Sequence, residues 1–311
     1  DFATRGPKFL CFVIHSIILT MSAKFVHLHT HSHYSLLTAL PKIADLVNSA
    51  VKANMPAIAL TDNGNMYGAI EFYKACKKTN IKPIIGIDAF VATRTRFDKE
   101  ARIDNKRSRL VLLAKNNSGY KNLLKIVTYS HLEGFYYKPR IDKELLKEYS
   151  NGLVAILPSF SGDTTIAIKE KNIKLAKERL EWHKNIFGKE NVFLEITHHP
   201  EIEGHQEVQK KIKELAKNTD TPLVAAHDVY YIKPEDRKVR ETLMKIQTNS
   251  DFGAQESSDE DFSFINQKTA EKYFEDTPEA LLNTIKIADM CNVELELGKW
   301  VFPDVKVESG L

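Results

Sequence analysis

The chain has 311 residues, of which 43% are hydrophobic and 27% are charged, and its formal net charge is +3. This composition is typical of a folded globular protein and excludes a low-complexity or highly charged disordered chain. The nearly balanced charge also gives no support for strong nonspecific binding to nucleic acid. Cys11, Cys76 and Cys291 form no Cys-x-x-Cys pair, so we expect a reducing, cytoplasmic location and no cysteine-based zinc site.

The first residues differ from the rest of the chain. Phe9–Thr20 is apolar but too short to span a bilayer comfortably, and no small-x-small cleavage site follows it. Met21 then opens a stretch with the character of a domain. We therefore expect residues 1–21 to be upstream or non-native sequence, with a targeting segment as the alternative.

Four histidines at alternate positions mark the start of that domain: His27, His29, His31 and His33. A β-strand would place all four on one face, and two imidazoles separated by one residue can hold one metal ion. The alternative is a histidine-rich surface strand, which the apolar opposite face, Val26 and Leu28, disfavours.

Farther along, apolar runs of strand length alternate with segments whose apolar residues recur at helical spacing. The predicted strands are Phe25–His31, Ala57–Thr61, Pro83–Ala92, Leu110–Ala114, Leu153–Leu157, Val192–Thr197 and Pro222–Ala226. The predicted helices are Ile43–Asn54, Met66–Thr79, Gly119–His131, Lys143–Tyr149, Ile173–Phe187 and Gln206–Asn218. This alternation favours an α/β fold with a parallel sheet, and about seven units favour a closed (β/α)7 barrel.

In such barrels the chemistry gathers at the C-terminal ends of the strands. We expect a set of polar residues to converge at that rim: His29, His31, Asp62, Asp88, Arg109 and Asp228. The basic run Arg94–Arg109 has two interpretations, a solvated loop or a loop that faces phosphate.

The pattern changes after Asp236. Helices are predicted over Lys238–Gln247 and Pro278–Cys291, and an acidic, serine-containing link, Gln255–Asp261, lies between them. We therefore divide the chain into a barrel domain over residues 22–235 and a helical extension over residues 236–311.

Several motifs along the chain resemble, in order and in number, those of the PHP domain (polymerase and histidinol phosphatase). They are Phe25–Leu37, Thr61–Gly68, Glu71–Tyr73, Lys82–Gly86, Leu112–Asn116, Glu133–Asp142 and Ala288–Val293. Within that family, the motifs resemble more specifically the N-terminal PHP domains of bacterial DNA polymerase III alpha subunits. The resemblance covers about Lys24 to Pro303. It implies a distorted seven-stranded barrel of PHP type with a metal cluster at the strand ends. It also implies that polymerase domains, which use Mg²⁺, follow beyond Leu311.

The resemblance also implies where the metal ligands would lie. His29 and His31 match the first His-x-His motif, Asp88 stands where the family usually has Glu, and Asp228 matches the Asp of the final strand motif. Five other ligand positions hold residues that depart from the family: Thr38, Asn63, Arg109, Phe160 and Tyr230. Arg109 would repel a cation and could pair with a carboxylate instead. We therefore expect a vestigial site that holds no metal or only a weakly bound Zn²⁺ or Mn²⁺.

The histidines also have more ordinary interpretations. His29 and His31 could be hydrogen-bonded core residues if the site has decayed. His227, another departure, could supply a replacement imidazole beside Asp228. His198 and His199 are adjacent, so at most one faces any site, and a surface position is the simpler interpretation. His33 is expected in a loop.

Three functions follow from the resemblance. The first is a structural PHP domain of a replicative DNA-directed DNA polymerase, which would support the polymerase domain and contact replisome subunits such as the proofreading exonuclease. The sliding clamp and DNA would be partners of the full-length protein, and no membrane partner is expected. The second is a metal-dependent phosphoesterase or 3′–5′ exonuclease. The third is a free-standing histidinol-phosphatase-like enzyme, which Gly134–Asp142 and Ala288–Val293 disfavour because they match the polymerase branch.

Overall fold

The computed structural model describes residues 25–248 and 260–300. The predictions about residues 1–21 and most of the link Gln255–Asp261 lie outside these ranges. None of the helices within them has the length and apolar run that crossing a bilayer requires.

The described residues form eight strands and ten α-helices. The strands are β1 Ala57–Leu60, β2 Lys82–Ala92, β3 Arg107–Ala114, β4 Phe135–Tyr136, β5 Lys138–Ile141, β6 Leu153–Leu157, β7 Val192–Ile196 and β8 Leu223–Ala225. The helices are α1 Ile43–Lys52, α2 Ala69–Lys78, α3 Asn117–Leu132, α4 Lys143–Tyr149, α5 Asp163–Lys169, α6 Ile173–Phe187, α7 His205–Thr219, α8 Arg237–Thr248, α9 Gln267–Tyr273 and α10 Pro278–Met290. The predicted α/β class is confirmed.

The strands form one mixed sheet in the order β4-β5-β2-β3-β6-β7-β8, with β1 paired to β2. β3 runs antiparallel to both β2 and β6, and β4 runs antiparallel to β5. The expectation of an entirely parallel sheet is therefore wrong at these pairs. The connection between β2 and β3, residues 93–106, contains no helix. Without a crossover helix the chain turns back beside β2, which gives antiparallel pairing.

The predicted first strand, Phe25–His31, is instead an extended segment. One bridge joins Thr30 to Val229, and the Ala59 amide donates to the His27 carbonyl at 2.9 Å. The segment therefore connects β1 with the chain that follows β8 and brings the two ends of the curled sheet together.

Two apolar clusters hold the fold. The larger one lies between the strands and the surrounding helices. The smaller one combines residues of the extended segment, alternate residues of the strands, and residues in and just after α10: Val26, Leu28, Ala57, Ala59, Ile84, Val111, Leu113, Val154, Ile156, Phe193, Val224, Ile287, Ala288 and Cys291. Because side chains alternate along a strand, this set marks one face of the sheet, and α10 packs against it. The domain boundary at residue 235 stays a prediction.

Candidate functional site

His29 lies at the centre of a buried group of charged side chains. Its Nδ1 is 2.8 Å from Glu195 Oε2 and 2.6 Å from Asp228 Oδ1, and its Nε2 is 3.0 Å from Asp88 Oδ2. The extended segment supplies the histidine, and β2 and β7 supply Asp88 and Glu195. Three carboxylates from distant parts of the chain thus meet on one imidazole.

Arg109 lies on the other side of Asp88. Its Nε donates to Asp88 Oδ1 at 2.8 Å, and its Nη2 contacts Asp88 Oδ2 and Asn63 Oδ1. The Asn63 amide donates to Thr38 Oγ1 at 3.0 Å. Residues at three of the five departing ligand positions therefore form one hydrogen-bonded chain that ends on Asp88.

The remaining two departures pack as aromatic residues. Tyr230 stacks on His31, with ring centroids 4.2 Å apart and planes 8° apart. The ring of Phe160 lies 5.0 Å from that of His205. Phe160 has no ligand atom, and the ring of Tyr230 packs on the imidazole of His31.

The structure brings His29, His31, Asp88, Arg109 and Asp228 together at one place. His31 Nε2 is 3.4 Å from Asp88 Oδ2, so this contact is at the limit of a hydrogen bond.

Asp62 lies beside the group and is occupied otherwise. Its carboxylate accepts hydrogen bonds from the Ser32 amide and hydroxyl and from the Ser35 hydroxyl. Asp62 therefore orders the loop after His31.

The expectation that the first four histidines share one face is wrong for His27, whose Nε2 lies 2.9 Å from the Ile265 carbonyl oxygen. His227 is also directed elsewhere, because its ring stacks on that of His199 at 5.0 Å. The surface interpretation is wrong for His199, which is 1% exposed. His198 is half-buried and stacks on Tyr273. His33 follows the extended segment and is half-buried next to Tyr34.

Sequence reasoning missed Glu195. It is completely buried in β7, and one carboxylate oxygen also accepts from the Ser159 amide at 2.9 Å. The signal that could have found it is an acidic residue inside an otherwise apolar strand, because a carboxylate is rarely buried without partners.

The partners of each group determine its charge. Burial opposes protonation of His29, but Asp228 and Glu195 outweigh it and raise the pKa of His29 well above its usual value. Burial also opposes ionisation of Asp88, yet the Arg109 charge and the two histidines hold its pKa well below the usual range. Burial raises the pKa of Glu195. The centre is therefore an ion-pair network with Arg109 and His29 as its cations.

Two sets of side chains have ligand atoms within 4.8 Å of one another: His29, His31 and Asp88, and His29, Glu195 and Asp228. A multi-ion cluster does not fit, because the guanidinium occupies both oxygens of Asp88 and keeps its proton at any accessible pH. The second set has the donor chemistry of a single divalent-ion site. We refer to His29, His31, Asp88, Arg109, Glu195 and Asp228 together as the ion-pair centre.

Comparisons with known proteins agree with the motifs. The PHP domain profile matches residues 27–199, more than half of the chain. DNA polymerase III subunit alpha from Borreliella burgdorferi is 41% identical over 278 residues, which cover 88% of this chain and 24% of that protein. The same subunit from Aquifex aeolicus is 37% identical over 284 residues, covering 86% of this chain and 24% of that protein. The chain thus spans about a quarter of the length of these relatives.

Among solved structures, an amidohydrolase from Chromobacterium violaceum is 14% identical, with a TM-score of 0.40 and coverage of 66% of this chain and 87% of that one. This likeness is too weak to support an argument about function. The profile match over residues 27–199 and the ordered motifs agree with each other. On this basis the chain belongs to the PHP domain family.

Proposed function

We propose that this chain is the PHP part of a DNA polymerase III alpha chain, a DNA-directed DNA polymerase, and that its ion-pair centre stabilises the domain instead of hydrolysing phosphoesters. The similarity to two alpha subunits supports the first statement. In the full protein we expect this part to contact the polymerase domain, whose chemistry uses Mg²⁺, and replisome subunits. We also propose a cytoplasmic location and a domain boundary near residue 235.

The main support for a structural role is a chain of hydrogen bonds that runs from Thr38 through Asn63 and Arg109 to Asp88. Each of the first three stands at a position where the family resemblance expects a metal ligand. Their side chains now bond to one another. A guanidinium that satisfies a buried carboxylate provides the positive charge that a metal ion would otherwise provide.

A metal-dependent phosphoesterase or 3′–5′ exonuclease is the second candidate. His29, Glu195 and Asp228 favour it, because their ligand atoms lie close enough to hold one ion. In that case these residues, with His31 and Asp88, would hold the metal, which would supply Lewis-acid chemistry.

Metal analysis separates the two candidates. The purified chain, produced with added Zn²⁺ and Mn²⁺, should carry less than about one equivalent of either metal, because Arg109 opposes a cation. It should also leave single-stranded DNA intact. One or more tightly held ions per chain, together with exonuclease activity that His29→Ala abolishes, would overturn the structural role.

The Arg109 contact can be tested directly. Arg109→Ala leaves Asp88 buried without its guanidinium, so we expect the free energy of unfolding in EDTA to fall by about 3–5 kcal/mol. Arg107→Ala is the matched control on the same strand, with an expected change within about 0.5 kcal/mol. Equal effects of the two variants would show that the guanidinium on Asp88 has no special role.

A further inference from the structure

A cavity of about 470 Å³ lies between the end of β7, the N-terminal part of α7 and the end of α9. We refer to it as the β7–α7 cavity and define it by Thr197, His199, His205, Gln206, Gln209 and Tyr273. None of the described residues that line it belongs to the ion-pair centre. A cavity of this size falls in the range that holds a small ligand.

Gln209 offers this cavity an unused hydrogen-bond donor. Its Oε1 accepts from the Thr197 amide at 3.1 Å, and this contact fixes the orientation of the side-chain amide, because a backbone N–H requires an acceptor. The Nε2 group of Gln209 is buried and has no hydrogen-bond partner among the described residues, and the residue is 8% exposed. A buried N–H group without an acceptor is costly, so the protein gains when an acceptor enters.

His199 offers the complementary group, an unused acceptor. Its Nδ1 lies 3.0 Å from Glu201 Oε1. Burial raises the pKa of Glu201, but hydrogen bonds from the backbone and from His199 outweigh it and hold that pKa below its usual value. An ionised carboxylate can only accept, so Nδ1 donates and Nε2 of the neutral imidazole keeps a free lone pair. This Nε2 is buried without a partner in the part of the chain that the structure describes.

The N-terminal turn of α7 borders the same cavity. Gly204 precedes the helix, and no described side chain caps it. Gln206 in the first turn and Lys210 in the second both line the cavity. The first amides of a 15-residue helix, together with its macrodipole, favour an anion at this end.

The charges around the cavity limit which anion fits. Lys210, Lys213 and Lys272 line it, together with the carboxylates of Glu275 and Asp276. Lys213 pairs with Asp276 at 2.7 Å. The other two lysines and Glu275 leave a small positive excess, which suits a monoanion or a zwitterion better than a multiply charged phosphate.

We propose that the β7–α7 cavity binds a small α-hydroxy or α-amino carboxylic acid. The carboxylate supplies the acceptor that the Gln209 amide group lacks, and the neighbouring hydroxyl or ammonium group supplies the donor that His199 lacks. The rings of His198 and Tyr273, stacked with centroids 4.3 Å apart, provide a wall for the rest of the molecule. The inference goes beyond the proposed structural role, because it assigns a ligand to a cavity outside the ion-pair centre.

The test is an NMR titration of the full 311-residue chain, labelled with ¹⁵N, with L-lactate, L-alanine and propionate. The three acids are close in size, and only propionate lacks a donor next to the carboxylate. We expect L-lactate or L-alanine to shift the side-chain amide signals of Gln209, which are identified by their absence from Gln209→Met, and the backbone amide signal of Thr197. Propionate should bind at least about tenfold more weakly, because it leaves the His199 acceptor unpaired.

Three variants test the two contacts, with the Thr197 amide signal as the readout. Gln209→Glu keeps the acceptor for Thr197 but replaces the donor with a carboxylate. It should weaken binding of the preferred acid at least about tenfold at about pH 8, where the new side chain is ionised. Asn218→Asp, the matched control, makes the same amide-to-acid change at an exposed position near the end of α7 and should weaken binding less than about twofold. His199→Phe keeps a ring beside His227 and should reduce the preference over propionate to less than about twofold.

The two preferred probes identify the source of the ligand. Binding of L-lactate alone indicates a hydroxy acid, and binding of L-alanine alone indicates an amino acid; either result supports the proposal, as does binding of both. Absence of binding of both at about 50 mM overturns it. Equally tight binding of propionate also overturns it, as does equal weakening by Asn218→Asp and Gln209→Glu. Circular dichroism and unfolding midpoints equal to those of the wild type establish that the variants are folded, and Gln209→Met takes the place of Gln209→Glu if the latter does not fold.

Discussion

Two groups of buried histidines in this fold have opposite surroundings. In the ion-pair centre, His29 contacts three carboxylates. In the second group, which we call the aromatic histidine cluster, His199, His205 and His227 pack on one another and on Phe160. Carboxylates raise the pKa of His29, whereas burial lowers that of His205 to about 4 and that of His227 well below its usual value.

The difference shows that burial alone does not decide the charge of a histidine. Desolvation opposes the charged form in both groups, and only compensating carboxylates reverse the result. At the edge of the aromatic histidine cluster, His199 Nδ1 lies 3.0 Å from Glu201 Oε1. His29 therefore serves as a cation in the network, and His205 and His227 serve as neutral packing residues.

The largest expected loss of stability in either histidine group follows from replacing His29. His29→Phe leaves Asp228 and Glu195 buried side by side without a cation, so the free energy of unfolding at neutral pH should fall by about 3–5 kcal/mol. Urea denaturation measures it. His198→Phe is the control, since His198 stacks on Tyr273 outside the network, and it should change stability by less than about 1 kcal/mol. A loss below about 1 kcal/mol for His29→Phe would contradict the ionic role.

Much of the fold could be predicted from apolar periodicity. Leu153–Leu157, Lys143–Tyr149 and Ile173–Phe187 have the predicted bounds, and these elements carry clear apolar patterns. Strand direction could not be predicted in this way, because buried parallel and antiparallel strands have the same apolar runs. The missing helix in residues 93–106 was the available signal for the antiparallel turn.

The site was predictable only in part. The family resemblance pointed to His29, Asp88 and Asp228, and the charge of Arg109 suggested a pair with a carboxylate. The contact with Glu195 was not predictable from local spacing, since it depends on how β7 lies against the extended segment. The spacing also could not predict that His27 leaves the face shared by His29 and His31, because the segment does not keep regular strand geometry.

A smaller effect on stability is expected when His205, in the aromatic histidine cluster, is titrated with acid. The pKa of His205 falls to about 4 in the folded protein, so the unfolded chain binds its proton first as pH falls from about 6.5 to about 4. Stability supplied by neutral His205 is therefore present at neutral pH and is lost in that window, by at most about 3 kcal/mol. His205→Gln, which keeps a hydrogen-bonding group near Thr197 and does not titrate, should flatten the unfolding free energy across the window. An unchanged slope in the variant would show that His205 is not the group that titrates.

The smallest effect is expected at His227, and it contrasts most directly with His29. His227 is 2% exposed, and neither ring nitrogen has a hydrogen-bond partner among the described residues. His227→Phe removes two buried polar atoms without breaking a bond, and the new ring keeps the stack on His199. Loss of unsatisfied polar atoms offsets the slight increase in side-chain volume, so stability should stay within about 1 kcal/mol of wild type at neutral pH. Urea denaturation of His227→Phe and His29→Phe gives a matched comparison, because both variants change a buried histidine to the same residue. If His227→Phe costs as much as His29→Phe, His227 makes a polar contact that its packing does not reveal, and the division between an ionic and an apolar histidine group is wrong.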